Sequence, residues 1–188
     1  MIQTNFSYVL LLGIVMSEKL DIVDEDDEII DVKTRKEAHD KGLRHRSVMF
    51  FVFNPEGKLL MTQRSEDKRF YPVHWSVVLG GHVTSGFSYD EALEKEMEEE
   101  IGLVGDYEEI GSFTKEIKEE KENVKLYKVE VDPEEIELSP IEFEKARFIR
   151  PEDIAEELKD KDIVPETKEV LEKLEDYMGI RVEMSLIQ

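Results

Sequence analysis

The sequence contains no cysteine and one tryptophan, and its 25 lysine and arginine residues are outnumbered by 46 aspartate and glutamate residues. Without cysteine the chain forms no disulfide and has no cysteine nucleophile, a composition consistent with a cytoplasmic protein. The formal net charge of −21 would repel a phosphate backbone, so we expect no nucleic-acid partner. A small polyanion can still bind where a metal ion and a few local cations neutralise its charge.

Long hydrophobic runs are also missing, and we expect no membrane partner. Residues 1–15 carry no charge, but their apolar run Tyr8–Val15 is far short of the roughly 20 residues that a membrane-spanning helix needs. The segment also lacks the basic start and small-residue cleavage site of a signal peptide. We expect residues 1–15 to be a peripheral extension, compatible with an upstream start codon, and residues 16–188 to be a single domain. A docked strand is the alternative interpretation of the extension.

Short apolar segments separated by turn residues predict a mixed α/β domain. The predicted strands lie at 20–23, 29–32, 47–53, 58–63, 75–79, 109–118, 124–131 and 146–149. A short helix that carries His39 is predicted after Thr34, which forms a capping box with Glu37. Two further helices are predicted at 154–158 and 170–178, after Pro151 and Pro165. We expect the helices to pack on both faces of a mixed sheet.

The most informative stretch is GGHVTSGFSYDEALEKEMEEEIGL, residues 80–103. It predicts a glycine-bounded loop and then a helix that begins at Ser88, forms a capping box with Glu91 and ends at Gly102. At about 100° per residue, one face of this helix points to the core. The residues of this face are Leu93, Met97 and Ile101.

Three glutamates crowd an adjoining side of the same helix. Glu96, Glu99 and Glu100 are spaced i, i+3 and i+4 and repel one another unless a cation lies among them. Clustered carboxylates are hard oxygen ligands that suit Mg²⁺ or Mn²⁺. A solvated acidic face is the alternative explanation.

Residues Gly81 to Leu103 resemble the Nudix box, Gx5Ex7REUxEExGU, in which U is a bulky aliphatic residue. The matching positions are Gly81, Glu96, Met97, Glu99, Glu100, Gly102 and Leu103. Two positions depart, since Phe87 stands where the pattern has Glu and Lys95 where it has Arg. Residues 39–70 and the following WSVVLGGHV also resemble the Nudix branch that includes isopentenyl diphosphate isomerase and related hydrolases. The resemblance implies a Nudix α/β/α sandwich that cleaves a diphosphate linkage with a divalent metal and water.

The resemblance also implies roles for residues of the box. Glu96, Glu99 and Glu100 would hold Mg²⁺ or Mn²⁺, with the Gly81 carbonyl completing the coordination. Glu96 would orient or deprotonate the attacking water, and Lys95 would take the place of the arginine that fixes the acidic helix. In some relatives the base comes from a later loop. Glu119, Glu120 and Glu122 are therefore further candidates, with solvated loop charges as the alternative.

Basic residues near the glycines are the candidates for binding a small-molecule diphosphate. We expect this substrate-binding set to comprise Arg64, Lys68, Arg69, Gly80, Gly81 and His82. The three cations are equally compatible with a solvated hairpin end. A second basic cluster is Arg44, His45 and Arg46. Phe70 and Trp75 could stack on a base or belong to the core.

Three histidines lie where the isomerase has metal ligands. His39, His45 and His82 therefore suggest a second metal site, although each alone is typical of a structural histidine. The isomerase activity itself is not expected. Its catalytic Cys aligns with Gly80 and its catalytic Glu with Val124, so the acid/base pair for allylic proton transfer is missing.

The two departures from the box bear on activity more than on fold. We expect Phe87 to pack under the loop, and Lys95 to pair with Glu91 or Glu99 as a point charge rather than a planar fork. Weakened but real hydrolysis is the result we expect. The alternative is a Nudix-fold module that binds a nucleotide, with a regulatory role, without cleaving it. A homodimer is compatible with either function.

Overall fold

The computed structural model describes residues 18–117, 120–179 and 181–187. The uncharged segment 1–15 lies outside the described residues. The strands are β1 Lys19–Val23, β2 Ile29–Thr34, β3 Arg44–Phe53, β4 Leu59–Arg64, β5 Trp75–Ser76, β6 Leu79–His82, β7 Asp106–Ile117, β8 Glu120–Glu130 and β9 Phe143–Ile149. The α-helices are α1 Arg35–Asp40, α2 Tyr89–Ile101, α3 Ile154–Leu158 and α4 Thr167–Met178, with single 3-10 turns at Pro151–Asp153 and Met184–Leu186. No helix of the described ranges has both the length and the apolar character needed to span a membrane.

Strand β3 is the centre of one mixed sheet. Along its whole length, Arg44 to Phe53, it pairs in parallel with β8. Its other edge pairs antiparallel with β1, β6 and β4 in turn. Beyond these, β7 pairs with β8, β9 and β5 pair with β4, and β2 ends the sheet next to β1.

Both faces of β3 are buried, because its side chains alternate between two apolar cores. Met49, Phe51 and Phe53 project into the core beneath α3 and α4. Val48, Phe50 and Val52 project into the core beneath α2. The predicted three-layer α/β/α arrangement with a mixed sheet is therefore confirmed.

The strand predicted at 75–79 is in fact two short strands with different partners. Strand β5 pairs with β4, whereas β6 pairs with β3. Ser76 makes the break: its hydroxyl donates to the Val78 carbonyl at 2.7 Å and accepts from the Val78 N–H at 3.1 Å. As a consequence Gly80 and Gly81 lie within strand β6, and the predicted loop that leads to the acidic helix starts only at Val83.

The strand predicted at 124–131 begins earlier than its apolar residues suggest. Strand β8 starts at Glu120, where it forms a hairpin with β7 that pairs Ile117 with Glu120. The additional residues are charged or polar, so hydrophobic periodicity does not reveal them. Their inclusion places Glu122 in the interior of the sheet, with only 2% of its surface exposed.

Candidate active site

Local signals define both ends of the acidic helix α2, as predicted. The Ser88 hydroxyl accepts a hydrogen bond from the Glu91 N–H, and the Glu91 carboxylate accepts one from the Ser88 N–H. Gly102 ends the helix with φ of 79°, in the left-handed region. The predicted inward face is completely buried, and it consists of Leu93, Met97 and Ile101. The helix is therefore anchored on the sheet with Glu96 and Glu100 directed at β6.

Glu96 lies directly over Gly81. A Cβ atom built on Gly81 would come within 2.4 Å of the Glu96 carboxyl carbon. The Glu96 side chain is only 13% exposed. Burial raises the pKa of Glu96, and the Lys95 charge opposes that shift. Glycine at position 81 is thus what allows this carboxylate to reach the strand.

Glu100 contacts the neighbouring glycine. The Gly80 N–H donates a hydrogen bond to the Glu100 carboxylate at 3.0 Å. Glu100 is 8% exposed, and burial, followed by the nearby Glu96 and Glu142 charges, holds its pKa well above the ordinary value. Two desolvated helix carboxylates that contact adjacent glycines of one strand are a setting in which a divalent cation would relieve charge repulsion.

Lys95 connects the remaining glutamate to this pair. Its ammonium lies 3.3 Å from Glu96 and 3.1 Å from Glu99. Burial lowers the pKa of Lys95, but the two carboxylates outweigh burial and the pKa lies above its ordinary value. The predicted pairing with Glu99 is confirmed, whereas Glu91 is engaged in the helix cap. Glu99 is 58% exposed along its side chain and is held at the rim of the site.

The histidines predicted as a second metal site do come together. Ligand nitrogens of His39, His45 and His82 all lie within 4.8 Å of one another, and they are the one such group of potential metal ligands in the described ranges. The three box glutamates do not meet that criterion in the described ranges, and Lys95 lies between Glu96 and Glu99.

All three imidazoles are kept in the neutral form, in which a ring nitrogen can bind a metal ion. Burial is the main cause that lowers the pKa of each, to about 3 for His82. The His45 Nδ1 lies 2.9 Å from the Leu43 carbonyl, which fixes that ring, while the buried Nε2 of His45 and Nδ1 of His82 have no hydrogen-bond partner. A neutral ring nitrogen with a free lone pair is what a divalent metal binds.

A buried carboxylate completes the histidine cluster. Glu122 lies 3.6 Å from the His82 Nε2 and 3.9 Å from the His45 Nε2. The Ser47 hydroxyl donates to it at 2.7 Å, and Lys115 pairs with it at 3.0 Å. Burial raises the pKa of Glu122, but its interaction with nearby His82 and the Lys115 charge hold it below its ordinary value.

These contacts distinguish between the glutamates that were predicted as alternative bases from a later loop. The interpretation of Glu122 as a solvated loop charge was wrong, because it is a buried strand residue. Glu120 is partly buried and pairs with Lys115 at 3.1 Å. Glu119 lies outside the described residues. Val124, the residue that the resemblance aligns with the isomerase glutamate, belongs to the core, and the carboxylate beside the histidines is Glu122. Gly80, the residue that the resemblance aligns with the isomerase catalytic Cys, has no side chain that could transfer a proton.

The carboxylates and the histidine cluster lie on opposite faces of β6. Successive residues of a strand project to opposite sides. Leu79 and Val83 project into the core beneath α2, and Gly81 faces Glu96 on that same side. His82 therefore projects to the other face, where it meets Glu122.

The basic residues predicted to bind the diphosphate are less free to contact an anion than their positions in the sequence suggested. Lys68 forms an ion pair with Glu142, and its charge partly opposes the rise in the pKa of nearby Glu100. Arg64 is partly buried with an unpartnered Nε, and exposed Arg69 lies over the Phe70 ring at 5.0 Å.

The residues of the second basic cluster and the aromatic residues differ in their contacts and exposure. Arg44 pairs with Glu116 at 2.8 Å and Arg46 with Asp27 at 3.0 Å, so both arginines are engaged in structural ion pairs. Phe70 is 50% exposed, while Lys161 packs over Trp75. Phe87 is 40% exposed, so the expectation that it packs under the loop was wrong.

Comparison with known proteins identifies the arrangement. A family model described as the NUDIX domain matches residues 43–174. The chain belongs to the Nudix family. It is 30% identical over 150 residues to an uncharacterised Nudix hydrolase of Pseudomonas aeruginosa, a match that covers 79% of this chain and 88% of that protein. An uncharacterised Nudix hydrolase of Nostoc sp. is 48% identical over 87 residues, or 46% of this chain and 52% of that protein.

The isomerase-like branch of the Nudix family is represented among the relatives. An isopentenyl-diphosphate Delta-isomerase of Serratia proteamaculans is 33% identical over 99 residues, which are 53% of this chain and 55% of that protein. The chain spans about half the length of several Nudix relatives that it matches, namely 52%, 49% and 53% of proteins from Nostoc sp., Streptomyces coelicolor and Yersinia pestis. The crystal structure of DR0079 from Deinococcus radiodurans has the same fold. That structure matches with a TM-score of 0.72 and 23% identity, covering 83% of this chain and 98% of the other.

Proposed function

We propose that this Nudix protein is a metal-dependent pyrophosphohydrolase that cleaves the diphosphate linkage of a small molecule. The substrate class is a nucleoside diphosphate joined to another group, or a similar small diphosphate, and water attacks phosphorus. The observation that carries the proposal is the pair of buried carboxylates, Glu96 and Glu100, held against Gly81 and Gly80. A solvated acidic face would leave both side chains in water.

The first metal site would be formed by the box. Glu96, Glu99 and Glu100 with the Gly81 carbonyl offer the oxygen donors that Mg²⁺ or Mn²⁺ prefers. Such an ion supplies charge neutralisation and polarises a phosphoryl oxygen. Because Glu99 is bound to Lys95, that ion pair has to rearrange for all three carboxylates to act together.

Residues of this chain would activate the water, stabilise the developing charge and bind the substrate. The buried Glu96, whose pKa is raised, is suited to orient the attacking water and accept its proton. Lys95 would supply positive charge beside the carboxylates as catalysis proceeds. The diphosphate would be bound by Arg64, Lys68, Arg69 and the backbone of Gly80 and Gly81, whereas His82 projects to the other face of β6 and belongs to the histidine cluster. Lys68 can take part only by leaving Glu142.

A second divalent ion would be held by the histidine cluster. His39, His45 and His82 supply neutral nitrogens, and Glu122 supplies an ionised carboxylate. The unpartnered Nε2 of His45, which lies 3.9 Å from Glu122, supports this assignment, because buried polar atoms without partners are rare in folded proteins. Imidazole ligands favour Zn²⁺ or Mn²⁺ over Mg²⁺ at this position.

A substrate panel tests the proposed activity. Dinucleoside diphosphates and nucleotide sugars would be incubated with the full chain and Mg²⁺ or Mn²⁺, and hydrolysis in ¹⁸O-water would locate the attacked phosphorus by mass spectrometry. We expect Glu96→Gln and Glu100→Gln to lose activity, while Glu98→Gln retains it because Glu98 is exposed on the same helix. No turnover of any substrate, even after Phe87→Glu, would contradict the proposal.

The alternative is a module that binds a nucleotide without cleaving it. The contact that favours it is the Lys95 bridge between Glu96 and Glu99, which occupies two of the proposed metal ligands. Calorimetry with ADP-ribose, with and without Mg²⁺, separates the two functions. Tight binding without product would support the module, whereas heat from continuing turnover would support the hydrolase. The proposed location of either is the cytoplasm.

A further inference from the structure

The end strand β2 is unusually apolar for a sheet edge. Its exposed side chains include Ile29, Ile30 and Val32, which are 53%, 64% and 42% exposed. One edge of β2 pairs with β1 from Thr34 to Ile29. Along its other edge, no strand of the described ranges is paired. Edge strands with exposed apolar residues are sites of association unless they are covered or blunted.

Two backbone N–H groups show how the free edge is oriented. The Val32 N–H donates to the Asp31 carboxylate at 2.7 Å, and the Thr34 N–H donates to the Glu37 carboxylate at 3.2 Å. Neither N–H is therefore used by β1. Since backbone groups alternate along a strand, the N–H and C=O of Val32 both point away from β1. A second strand could pair there.

The charges on β2 are complementary to a second copy of the same strand. In an antiparallel pair centred on Val32, the two Val32 residues would exchange backbone hydrogen bonds. Asp31 of each copy would then lie opposite Lys33 of the other, in the closer, non-hydrogen-bonded position. Within one chain these side chains already lie on the same face, 2.5 Å apart. Shifting the centre by one residue to Asp31 would instead bring two aspartates together.

We propose that β2 pairs antiparallel with β2 of a second copy of this chain about a twofold axis at Val32. The Asp31 carboxylate that caps the Val32 N–H in one chain is replaced by the Val32 carbonyl of the other copy, and it turns to Lys33 of that copy. A register shift next to Ile22 and Val23 limits the regular part of the strand. Because both copies use the same edge about one twofold axis, the pairing closes as a dimer. The interface is small, so dimer formation depends on the protein concentration.

Charge exchange at two positions tests the register. Sedimentation velocity on the full chain, over a range of concentrations, would measure the dimer dissociation constant. We expect Asp31→Lys or Lys33→Asp each to raise this constant by at least about tenfold, because both cross-strand pairs become repulsive. The double variant restores opposite charges across the axis, so its constant should return to within about threefold of the original. Glu156→Lys is the control, since Glu156 is an exposed residue of α3.

Other outcomes would overturn the proposal. A full chain that stays monomeric at every concentration has no such interface. A dimer that is unaffected by either single charge change, or by Val32→Pro, which removes the outward N–H, uses another surface. Dimers that form only after removal of residues 1–17 would show that this segment, and not a second copy, covers the edge. None of these results depends on the proposed hydrolysis.

Discussion

The Glu96 carboxylate lies so close to the Gly81 α-carbon that no side chain fits between them. Its two oxygens would stand 2.4 and 2.5 Å from a Cβ at position 81. The contact joins the acidic helix to strand β6 at the centre of the proposed site. It also explains why the glycine is needed: the requirement is close approach, and Gly81 carries no positive φ.

Gly81→Ala is therefore expected to displace Glu96 while leaving the fold in place. A misplacement of about 1 Å can reduce turnover about 100-fold, and we expect a loss of that order in kcat with small change in the circular dichroism spectrum. The control is Gly111→Ala, since a Cβ there meets no atom within 4 Å. Equal activity of the two variants would show that the Glu96–Gly81 contact is not part of the active site.

Glu100 makes the stability of the metal-free protein depend on pH. Its pKa is held well above 4.5, chiefly by burial. A carboxyl group whose pKa is raised by folding contributes its full stability below the unfolded pKa, and this contribution is lost as pH rises through the folded pKa. In EDTA, wild type should thus lose stability relative to Glu100→Gln as the pH rises above the ordinary pKa of a glutamate, about 4.3.

Thermal unfolding of both proteins across this pH range measures the difference in Tm. Added Mg²⁺ at the higher pH should stabilise wild type more than Glu100→Gln, because the ionised carboxylate binds the cation. A constant difference in Tm at all pH values would mean that Glu100 is not buried as a titrating group.

Lys95 is expected to compete with the metal at the box. Its ammonium pairs with both Glu96 and Glu99, so Lys95→Gln leaves these carboxylates free for a cation. We expect Mn²⁺ to bind the box several-fold more tightly in this variant, with a lower kcat because the local positive charge is gone. Titration calorimetry and steady-state kinetics measure the two effects. Lys128→Gln, which disrupts ion pairs with Glu108 and Glu130, is the control.

The acidic helix was predictable because its determinants are local. Ser88, Glu91 and Gly102 mark its ends within a few residues of sequence. The burial of Glu96 and Glu100 against two glycines was not predictable from their spacing. It depends on β6 lying beneath the helix, and this strand exists because the chain changes partner strand at Ser76.

The burial of Glu122 could not be predicted from the sequence. It lies among charged residues that are typical of an exposed loop. Its burial results from parallel pairing of β8 with β3, which brings Ser47 to within hydrogen-bond distance across 75 positions of sequence. The prediction for Phe87 was wrong in the opposite sense, since this residue was expected to pack under the loop and is 40% exposed.

The histidine cluster should bind one divalent ion of its own. His45→Gln removes one of three neutral ring nitrogens that lie within 4.8 Å of one another. Loss of one ligand and of a well-defined site typically lowers metal affinity by orders of magnitude. We therefore expect calorimetric titration with Mn²⁺ to show one fewer bound ion per chain in His45→Gln than in wild type.

Matched variants separate this cluster from the box. His74→Gln should leave the stoichiometry unchanged, since His74 lies on the β4–β5 loop and hydrogen-bonds with Pro72. Glu96→Gln should weaken the box site and leave the histidine site filled, because the two lie on opposite faces of β6. If His45→Gln and Glu96→Gln abolished the same binding event, the two groups would form one site, and the assignment of separate metals to opposite faces of the sheet would be wrong.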